Sequence, residues 1–379
     1  MHVVQISFFV DPERRSPETL LDEWHSLVDI AGAAATTGAR VTVIQANMVP
    51  GHIQQSGVVF HFVAPGRAGA RLTSSSTLLS LLKDLAPDVF HVHGLGFPQE
   101  VRALRGLVPN VPILLQDHAD RVPNFWRRRV WRQGAIAASG ISFCARAQAE
   151  PFLKAGLLER DMPIFEIPEG TSKFVPGDKV AARSKTGMHG SPAVLWVAHL
   201  DANKDPLTVL NAVSEAARDL KELQLWCCYA SAPLLSAVQS RIVCDARLRD
   251  RVHLLGRVPH AEVEQLMRAA DLFVLGSHRE GGNFSLTEAL ATGLTPIVTD
   301  IPSSRALIGN GTVGALWPCE DWRALANELR TASDAGRAQT RSQVRAYFDA
   351  QLSSDAIGRK FNAAYSRLIE SEPPALVAS

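Results

Sequence analysis

Residues 278–293 have the sequence HREGGNFSLTEALATG. They follow the apolar run 271–275, which predicts a buried strand, and they end in an Ala/Leu-rich segment of strong helix formers. The order is therefore strand, glycine-containing loop, helix. Free backbone N–H groups and the positive end of the helix dipole gather at such a helix N-terminus and favour an anion. The stretch thus predicts a phosphate-binding loop.

Two glutamates, Glu280 and Glu288, bracket this loop with seven residues between them. A purely structural interpretation also exists, because residues 285–288 fit a capping box with Ser285 as N-cap. The pair Gly281-Gly282 can equally be ordinary turn glycines. A further short strand at residues 294–300, followed by a polar and glycine-containing loop, favours a binding site over structural punctuation.

Residues 252–317 resemble the nucleotide-sugar half of a retaining family 4 glycosyltransferase. That family is marked by Glu, seven residues, Glu, then Ala-x-Ala-x-Gly, and Glu280, Glu288, Ala289, Ala291 and Gly293 match in register. The resemblance implies the GT-B fold, with two Rossmann-like, doubly wound α/β domains that face a central cleft. A weaker resemblance covers nearly the whole chain.

The composition limits the classes of function. The chain has 379 residues, 46% of them hydrophobic, and a net charge of +1, so no nucleic-acid footprint is implied. The five cysteines are scattered and form no CxxC pair, which gives no support for a zinc site or a disulfide framework. The N-terminus lacks the basic start and apolar core of a signal peptide, and no apolar run approaches the roughly 20 residues of a membrane span. We expect a cytoplasmic protein, with peripheral attachment to the inner face of the membrane as an option.

Strands and helices alternate along the chain, which predicts parallel sheets. The expected domains are residues 1–175, which bind the acceptor, and 188–350, which bind the nucleotide sugar; the expected linker lies within 174–192. Residues 351–379 should form a helix that returns to the first domain, as the resemblance implies. The predicted strands are 3–10, 40–45, 58–63, 88–93, 111–116, 140–144, 164–168, 193–197, 223–229, 252–255, 272–275 and 295–299, and the predicted helices include 20–36, 78–85, 206–217 and 353–368.

Lys204 and His199 follow the first strand of the second half. Family members have Gly-Arg-Leu, three residues, then Lys, where the Arg and Lys neutralise the donor diphosphate. Lys204 matches this pattern, whereas His199 replaces the arginine and lacks its bidentate fork. The alternative for Lys204 is a solvated residue before a helix.

The resemblance also implies roles in the glycine loop. Glu280 would hold hydroxyls of the donor sugar and Glu288 would accept from the ribose hydroxyls. The remaining candidates for donor binding are Gly282, Asn283, Phe284 and Ser285, whose N–H groups would meet the distal phosphate or the sugar, and Arg257 and Val258, which stand where relatives hold the base.

In the first half, His118 follows a predicted strand. Its position resembles that of the family's histidine facing the donor sugar, where it would shape or polarise the reaction centre; a lone histidine is otherwise an ordinary surface or core residue. His93, beside Gly94 and Gly96, is a second strand-end candidate. The loop of residues 11–16 lacks the glycine pair that many relatives use to approach the donor phosphate.

The densest basic and aromatic stretch is NFWRRRVWR, residues 124–132. On a helix it could lie on an anionic membrane surface. Alternatively, Trp126 and Trp131 pack inward and the arginines are solvated.

We therefore expect a retaining hexosyltransferase that moves a hexosyl unit from a nucleoside-diphosphate sugar, UDP- or GDP-linked, to a saccharide or lipid-linked acceptor hydroxyl. Polysaccharide or glycoconjugate synthesis is the setting that the resemblance implies. His118, Lys204 and Glu280 are the expected catalytic residues, with no metal and no cofactor. The alternatives are a non-catalytic two-lobed protein that binds nucleotides or sugars, and a nucleotide-sugar epimerase on the same architecture.

Overall fold

The computed structural model describes residues 1–65, 71–334 and 340–371. The chain forms two compact units: unit 1 comprises Met1–Thr171 and the chain from Ser354 onward, and unit 2 comprises Ser172–Ser353. In the parts of the chain described here, no helix combines the length and hydropathy that a bilayer span requires.

Unit 1 is built on an eight-stranded sheet in the order β3-β4-β2-β1-β5-β6-β7-β8, parallel except for β3. Its elements are β1 (His2–Ser7), α1 (Pro17–Glu23), α2 (His25–Ala35), β2 (Arg40–Ala46), β3 (Gly51–Gln55), β4 (Val58–Val63), α3 (Ser76–Leu85), β5 (Val89–His93), α4 (Pro98–Leu107), β6 (Ile113–Gln116), α5 (Arg128–Ile136), β7 (Gly140–Phe143), α6 (Glu150–Lys154) and β8 (Ile164–Glu166). In the sheet, β2 lies on one side of β1 and β5 lies on the other. The strand order therefore reverses between β1 and β5, where open α/β sheets bind ligands.

Unit 2 is built on a six-stranded parallel sheet in the order β11-β10-β9-β12-β13-β14, which reverses between β9 and β12. Its elements are α7 (Lys179–Thr186), β9 (Ala193–Val197), α8 (Pro206–Ala216), β10 (Gln224–Cys228), α9 (Leu235–Val243), β11 (Val252–Gly256), α10 (His260–Ala269), β12 (Leu272–Leu275), α11 (Phe284–Ala291), β13 (Thr295–Thr299), α12 (Pro302–Leu307), β14 (Ala315–Trp317), α13 (Trp322–Ser333) and α14 (Arg341–Gln351). The short edge strand β14 was not predicted.

The last described helix, α15 (Ser354–Ser371), packs in unit 1, as the sequence predicted. Its buried face, which includes Ile357, Phe361 and Tyr365, joins the core that α2 forms over the sheet. The Tyr365 hydroxyl lies 2.8 Å from Nδ1 of His91 on β5. The C-terminal helix is thus part of the core of unit 1.

Three local predictions need correction. The predicted linker contains helix α7, which Asp178 caps by accepting from Ala181 N–H at 2.7 Å, and its residues belong to unit 2. The predicted helix 20–36 is two helices, because the chain bends at Trp24; the N-cap of the first is Ser16. The hairpin strand β3, polar and mostly exposed, was missed.

Candidate active site

In unit 2, two loops meet at the strand-order reversal: the loop after β9 and the loop after β12. The backbone N–H of His278 donates to Asn203 O at 2.8 Å, and Asn203 Nδ2 donates to Arg279 O at 3.0 Å. At Gly276, a Cβ would lie 2.9 Å from the carbonyl oxygen of Lys204, so the close approach of the loops requires glycine.

Lys204 and Glu280, predicted separately, form an ion pair across these loops. The lysine side chain is 19% exposed and the glutamate 11%, so the pair lies in a sheltered position. One residue further along, Asp205 Oδ2 lies 3.3 Å from Nε2 of His278. The cation expected on the diphosphate and the carboxylate expected on the sugar are therefore neighbours.

Asn283 starts helix α11. Its φ is +41°, and its side chain accepts from Leu286 N–H at 3.3 Å, so Asn283 is the N-cap and the predicted capping box at Ser285 is wrong. Ser285 instead donates its hydroxyl to Asn283 Oδ1 at 3.3 Å. Gly282 is buried just before the cap, whereas Phe284 is 40% exposed. The helix therefore begins two residues earlier than the capping box at Ser285 would place it.

Glu288 is held by a residue that the sequence analysis missed. Nε2 of His260 lies 2.6 Å from Glu288 Oε1, and the His260 ring packs against Phe174 with centroids 4.7 Å apart. His260 opens α10 directly after the loop that carries Arg257 and Val258, the expected base contacts. Proximity in sequence to those two residues was the one signal that could have identified it.

His199, the replacement for the usual arginine, lies at the end of β9 and is exposed. Its Nδ1 accepts from the backbone N–H of Ser231 at 3.3 Å. The ring is therefore anchored on the loop after β10, and it does not contact Lys204 or Glu280 through any hydrogen bond that the described residues show.

In unit 1, His118 belongs to a chain of hydrogen-bonded side chains at the carboxyl ends of the strands. Its Nδ1 lies 2.5 Å from Oε2 of Glu169, a buried residue just past β8. Its Nε2 lies 3.1 Å from Nδ1 of His93, whose Nε2 lies 3.3 Å from Gln5 Oε1. The three contacts fit one proton assignment: His118 donates to Glu169 and to His93, and His93 donates to Gln5 Oε1, which leaves Gln5 Nε2 without a partner among the described residues.

Charge explains this assignment. Burial works to lower the pKa of His118, but the hydrogen bond and the negative charge of Glu169 outweigh it, and the net pKa is raised. Burial, with the neighbouring imidazoles, holds the pKa of His93 well below its usual range. Of the two imidazoles, His118 is thus the one that favours the charged form and His93 the one that favours the neutral form.

Two aspartates support the same loops. Asp120 accepts from the backbone N–H of Leu95 at 2.8 Å, which ties the glycine-containing loop after β5 to the loop after β6. Burial, together with the charge of Asp120, raises the pKa of Asp117 to about 7. Glu169 and Asp117 were both absent from the predicted site; the strand-end position of each was the available signal.

The basic and aromatic stretch forms a short 3₁₀ turn, Phe125–Arg127, and helix α5. Trp131 is buried and stacks on Phe152 at 5.3 Å, while Phe125 and Trp126 are 75% and 64% exposed. The inward packing predicted for both tryptophans therefore holds for Trp131 alone.

The chain is similar in sequence to known glycosyltransferases. Residues 179–347 match the family model described as glycosyl transferases group 1. Over 296 residues the chain is 23% identical to a GDP-mannose:cellobiosyl-diphosphopolyprenol alpha-mannosyltransferase of Xanthomonas campestris, covering 74% of this chain and 75% of that one. These matches support a glycosyltransferase, with the family match lying in residues 179–347 of unit 2.

Other relatives of this glycosyltransferase are similar over shorter stretches. It is 28% identical to a D-inositol 3-phosphate glycosyltransferase of Segniliparus rotundus over 57% of its length, and it spans half of that protein. It is 29% identical to a UDP-Gal:alpha-D-GlcNAc-diphosphoundecaprenol alpha-1,3-galactosyltransferase of Escherichia coli over 46% of each chain. These names favour a transferase over the non-catalytic binding protein.

Solved structures share the fold of the glycosyltransferase over nearly its full length. HepE of Anabaena in complex with UDP aligns with a TM-score of 0.73 at 16% identity, covering 97% of this chain and all of that one. Sucrose-phosphate synthase of Thermosynechococcus elongatus aligns with a TM-score of 0.70 at 19% identity, covering 98% and 99%. The predicted GT-B fold is confirmed.

Proposed function

We propose that this glycosyltransferase moves a hexosyl unit from a UDP- or GDP-linked sugar to an acceptor hydroxyl with retention of configuration. The observation that carries the proposal is the ion pair of Lys204 and Glu280 where the sheet of unit 2 reverses. It brings one cation and one carboxylate to the strand ends where nucleotides bind in α/β sheets.

In the proposed reaction, the bond between the anomeric carbon and the leaving diphosphate breaks while the acceptor oxygen bonds to that carbon. The acceptor proton passes to the diphosphate oxygen on the same face, so configuration is retained. Lys204 and the N–H groups at the start of α11 would stabilise the charge on the leaving diphosphate. These groups supply the stabilisation without a metal ion or a cofactor, which we propose are not needed.

Donor binding would then repartition the charges of the site. When the ammonium of Lys204 binds the diphosphate, the carboxylate of Glu280 can accept hydrogen bonds from the hydroxyls of the donor sugar. Glu288 would accept from the ribose hydroxyls, with His260 holding it in place. His199, Arg257, Val258, Gly282, Asn283, Phe284 and Ser285 remain proposed contacts for the rest of the donor.

In unit 1 we propose that His118 faces the reaction centre and that residues 1–171 bind the acceptor. Relatives named for diphosphopolyprenol- and diphosphoundecaprenol-linked saccharides support a saccharide or lipid-linked acceptor and a role in polysaccharide or glycoconjugate synthesis. The exposed Phe125 and Trp126 beside arginines 127–129 suit contact with an anionic membrane surface at the inner face.

A nucleotide-binding experiment tests the donor site. A ligand at 100 times its dissociation constant stabilises a protein by about 2.7 kcal/mol, so a thermal-shift panel of UDP-, GDP- and ADP-sugars should single out one nucleotide. Glu288→Ala should lose that shift. Absence of a shift with every nucleotide on folded wild-type protein would count against the proposal.

Product analysis tests the mechanism. With the donor identified, proton NMR of the newly formed glycoside should show the anomeric configuration of the donor, and EDTA should leave the rate unchanged. Formation of the opposite anomer would contradict retention, and loss of activity in EDTA would contradict metal independence. An epimerase would instead convert the donor to a second nucleotide sugar without releasing nucleotide.

Membrane contact is tested by sedimentation with vesicles of phosphatidylglycerol or of phosphatidylcholine. We expect the wild-type protein to sediment with the anionic vesicles, and the double variant F125A/W126A to remain in the supernatant. Equal sedimentation of the two proteins would contradict a role for this surface.

A further inference from the structure

Unit 1 contains a cavity of about 370 Å³ at the point where its sheet order reverses. Ser7 on β1 and His93 on β5, which are register partners in the sheet, both line it. Its volume lies in the range of small-molecule sites, about 300–1,000 Å³. Its position is the one where an open α/β sheet binds a ligand.

Much of the lining is aromatic or apolar. Phe9, Trp24 and Phe97 line the cavity, with the rings of Phe9 and Trp24 5.8 Å apart. Phe9 is 50% exposed. The imidazoles of His93 and His118 add ring faces, since their nitrogen atoms are engaged in the chain from Glu169 to Gln5.

One buried polar group in the lining has an unused acceptor. Gln45 donates Nε2 to the carbonyl oxygens of Phe9 at 2.6 Å and Ala46 at 2.9 Å, and this fixes the orientation of its amide. Oε1 is then left without a hydrogen-bond partner among the described residues, although Gln45 is 1% exposed. A buried acceptor in this state favours a ligand that donates a hydrogen bond.

The charges near the cavity do not suit an anion. None of the described lining residues is lysine or arginine. Nδ1 of His118 is paired with the carboxylate of Glu169, and Asp120 contributes a carboxylate to the lining. Arg15, whose guanidinium lies 5.9 Å from the Trp24 ring centroid, is paired with Glu13 and Glu23. A phosphate here would face a carboxylate without a free cation.

We infer that this cavity binds a neutral saccharide ring of the acceptor, whose apolar face lies on the Phe9 and Trp24 rings and whose hydroxyl groups donate to Gln45 and Asp120. The inference rests on the proposed transferase function, since it assigns the chemical class of the acceptor group. It separates the sugar that is recognised in unit 1 from any phosphate of a lipid-linked acceptor, which must be bound elsewhere.

Saturation-transfer NMR on the full chain, with excess UDP or GDP present to fill the donor site, tests this assignment. The probes are methyl β-D-glucopyranoside, methyl α-D-mannopyranoside and methyl β-cellobioside, with inorganic pyrophosphate as the anionic competitor. We expect at least one glycoside to bind the wild-type protein. Its dissociation constant should rise fivefold or more in Phe9→Ala and in Gln45→Leu.

Leu107→Ala is the matched control, because it also shortens a partly exposed apolar side chain of unit 1 outside the cavity. It should bind the glycoside as the wild type does. Phe9→Ala keeps the test decisive if Gln45→Leu does not fold, since Phe9 is half exposed. Three results would each overturn the assignment: no glycoside binding by folded wild type, equal binding by the cavity variants, or displacement of the glycoside by pyrophosphate.

Nucleotide binding by the wild-type protein, measured in parallel by thermal shift, keeps the two proposals apart. Nucleotide binding without glycoside binding would leave the transferase function standing and remove the saccharide cavity. Glycoside binding that depends on Phe9, without binding of any nucleotide, would retain the cavity and remove the donor site.

Discussion

The two units present contrasting chemistry at the same place in their sheets. At the reversal in unit 2, the opposite charges of Lys204 and Glu280 lie side by side, and Nε2 of His260 lies 2.6 Å from Oε1 of Glu288. At the reversal in unit 1, amides and imidazoles form one chain that ends on a single buried carboxylate, Glu169. The unit 2 site holds an ion pair between side chains, and the unit 1 site holds a hydrogen-bonded chain that links two imidazoles to Glu169.

This difference shows how similar folds are given different tasks. A doubly wound sheet provides the crevice, and the loops after its strands determine what the crevice contains. Under the proposed function, a diphosphate entering unit 2 would gain a cation that is already in position. In unit 1, the carboxylate of Glu169 favours the charged form of His118, and the neighbouring cavity offers ring faces and a hydrogen-bond acceptor.

The contrast should be largest when Lys204 is removed. Lys204→Ala should lower turnover of the donor by about 10²–10³-fold, the usual effect of losing one group that stabilises transition-state charge. The release of nucleotide from the donor measures this. Lys185→Ala, an exposed lysine of α7, should stay within about threefold of wild type because surface charges away from a site have small effects. Retention of most activity in Lys204→Ala would make the ion pair purely structural.

In unit 1, the matching change is Glu169→Gln. Without the carboxylate, burial becomes the dominant influence on His118, and its pKa should fall because the adjacent opposite charge is lost. Titration of the His118 ring proton by NMR measures the shift. Glu159→Gln, at an exposed position, should not change it. An unaltered His118 pKa in Glu169→Gln would show that the two side chains do not interact in solution.

The buried imidazole of His91 should make unit 1 sensitive to acid. Burial lowers its pKa to about 3, so below pH 6.5 the unfolded chain binds a proton that the folded chain excludes, and stability falls as pH falls. Between pH 7 and pH 5, wild type should lose about 2 kcal/mol relative to His91→Gln. Asp117, with its raised pKa, acts in the opposite direction in both proteins and cancels in the difference. Urea unfolding at the two pH values measures the free energy of unfolding of each protein. An equal decrease in the wild type and in His91→Gln would refute the prediction.

The smallest expected effect is at Asn283 in unit 2. Asn283→Ala should be less stable than Asn283→Gly by about 1 kcal/mol, because glycine adopts the positive φ without strain and serves better as an N-cap. Thermal unfolding of the two variants measures the difference. An alanine variant as stable as the glycine variant would mean that the helix can begin at Ser285 after all.

Sequence analysis can indicate which residues lie together where spacing and strand order carry the information. Glu280 and Glu288 share one short segment, and Lys204 follows a strand that neighbours theirs, so motif and strand order together place them. It failed where the partner is remote: Glu169 meets His118 across 51 positions of sequence, and His260 meets Glu288 across 28. Such contacts depend on strand register and side-chain rotamers, which a local sequence pattern does not predict.

Boundaries were missed for related reasons. Asn283 and Ser285 are both good N-caps, and the tight approach of the glycine pair selects the first. The bend at Trp24 leaves the periodicity of residues 20–36 intact, so the pattern indicates one helix where there are two.

The helix α15 has a consequence for how the protein is made. Its side chains Phe361 and Tyr365 complete the core that α2 and the sheet of unit 1 begin, yet they are synthesised after all of unit 2. During translation, the first domain to emerge therefore waits with an uncovered apolar groove, while the second domain has its whole core available and can fold first. The nascent N-terminal half is therefore the part of this chain that most needs protection by chaperones until helix α15 has left the ribosome.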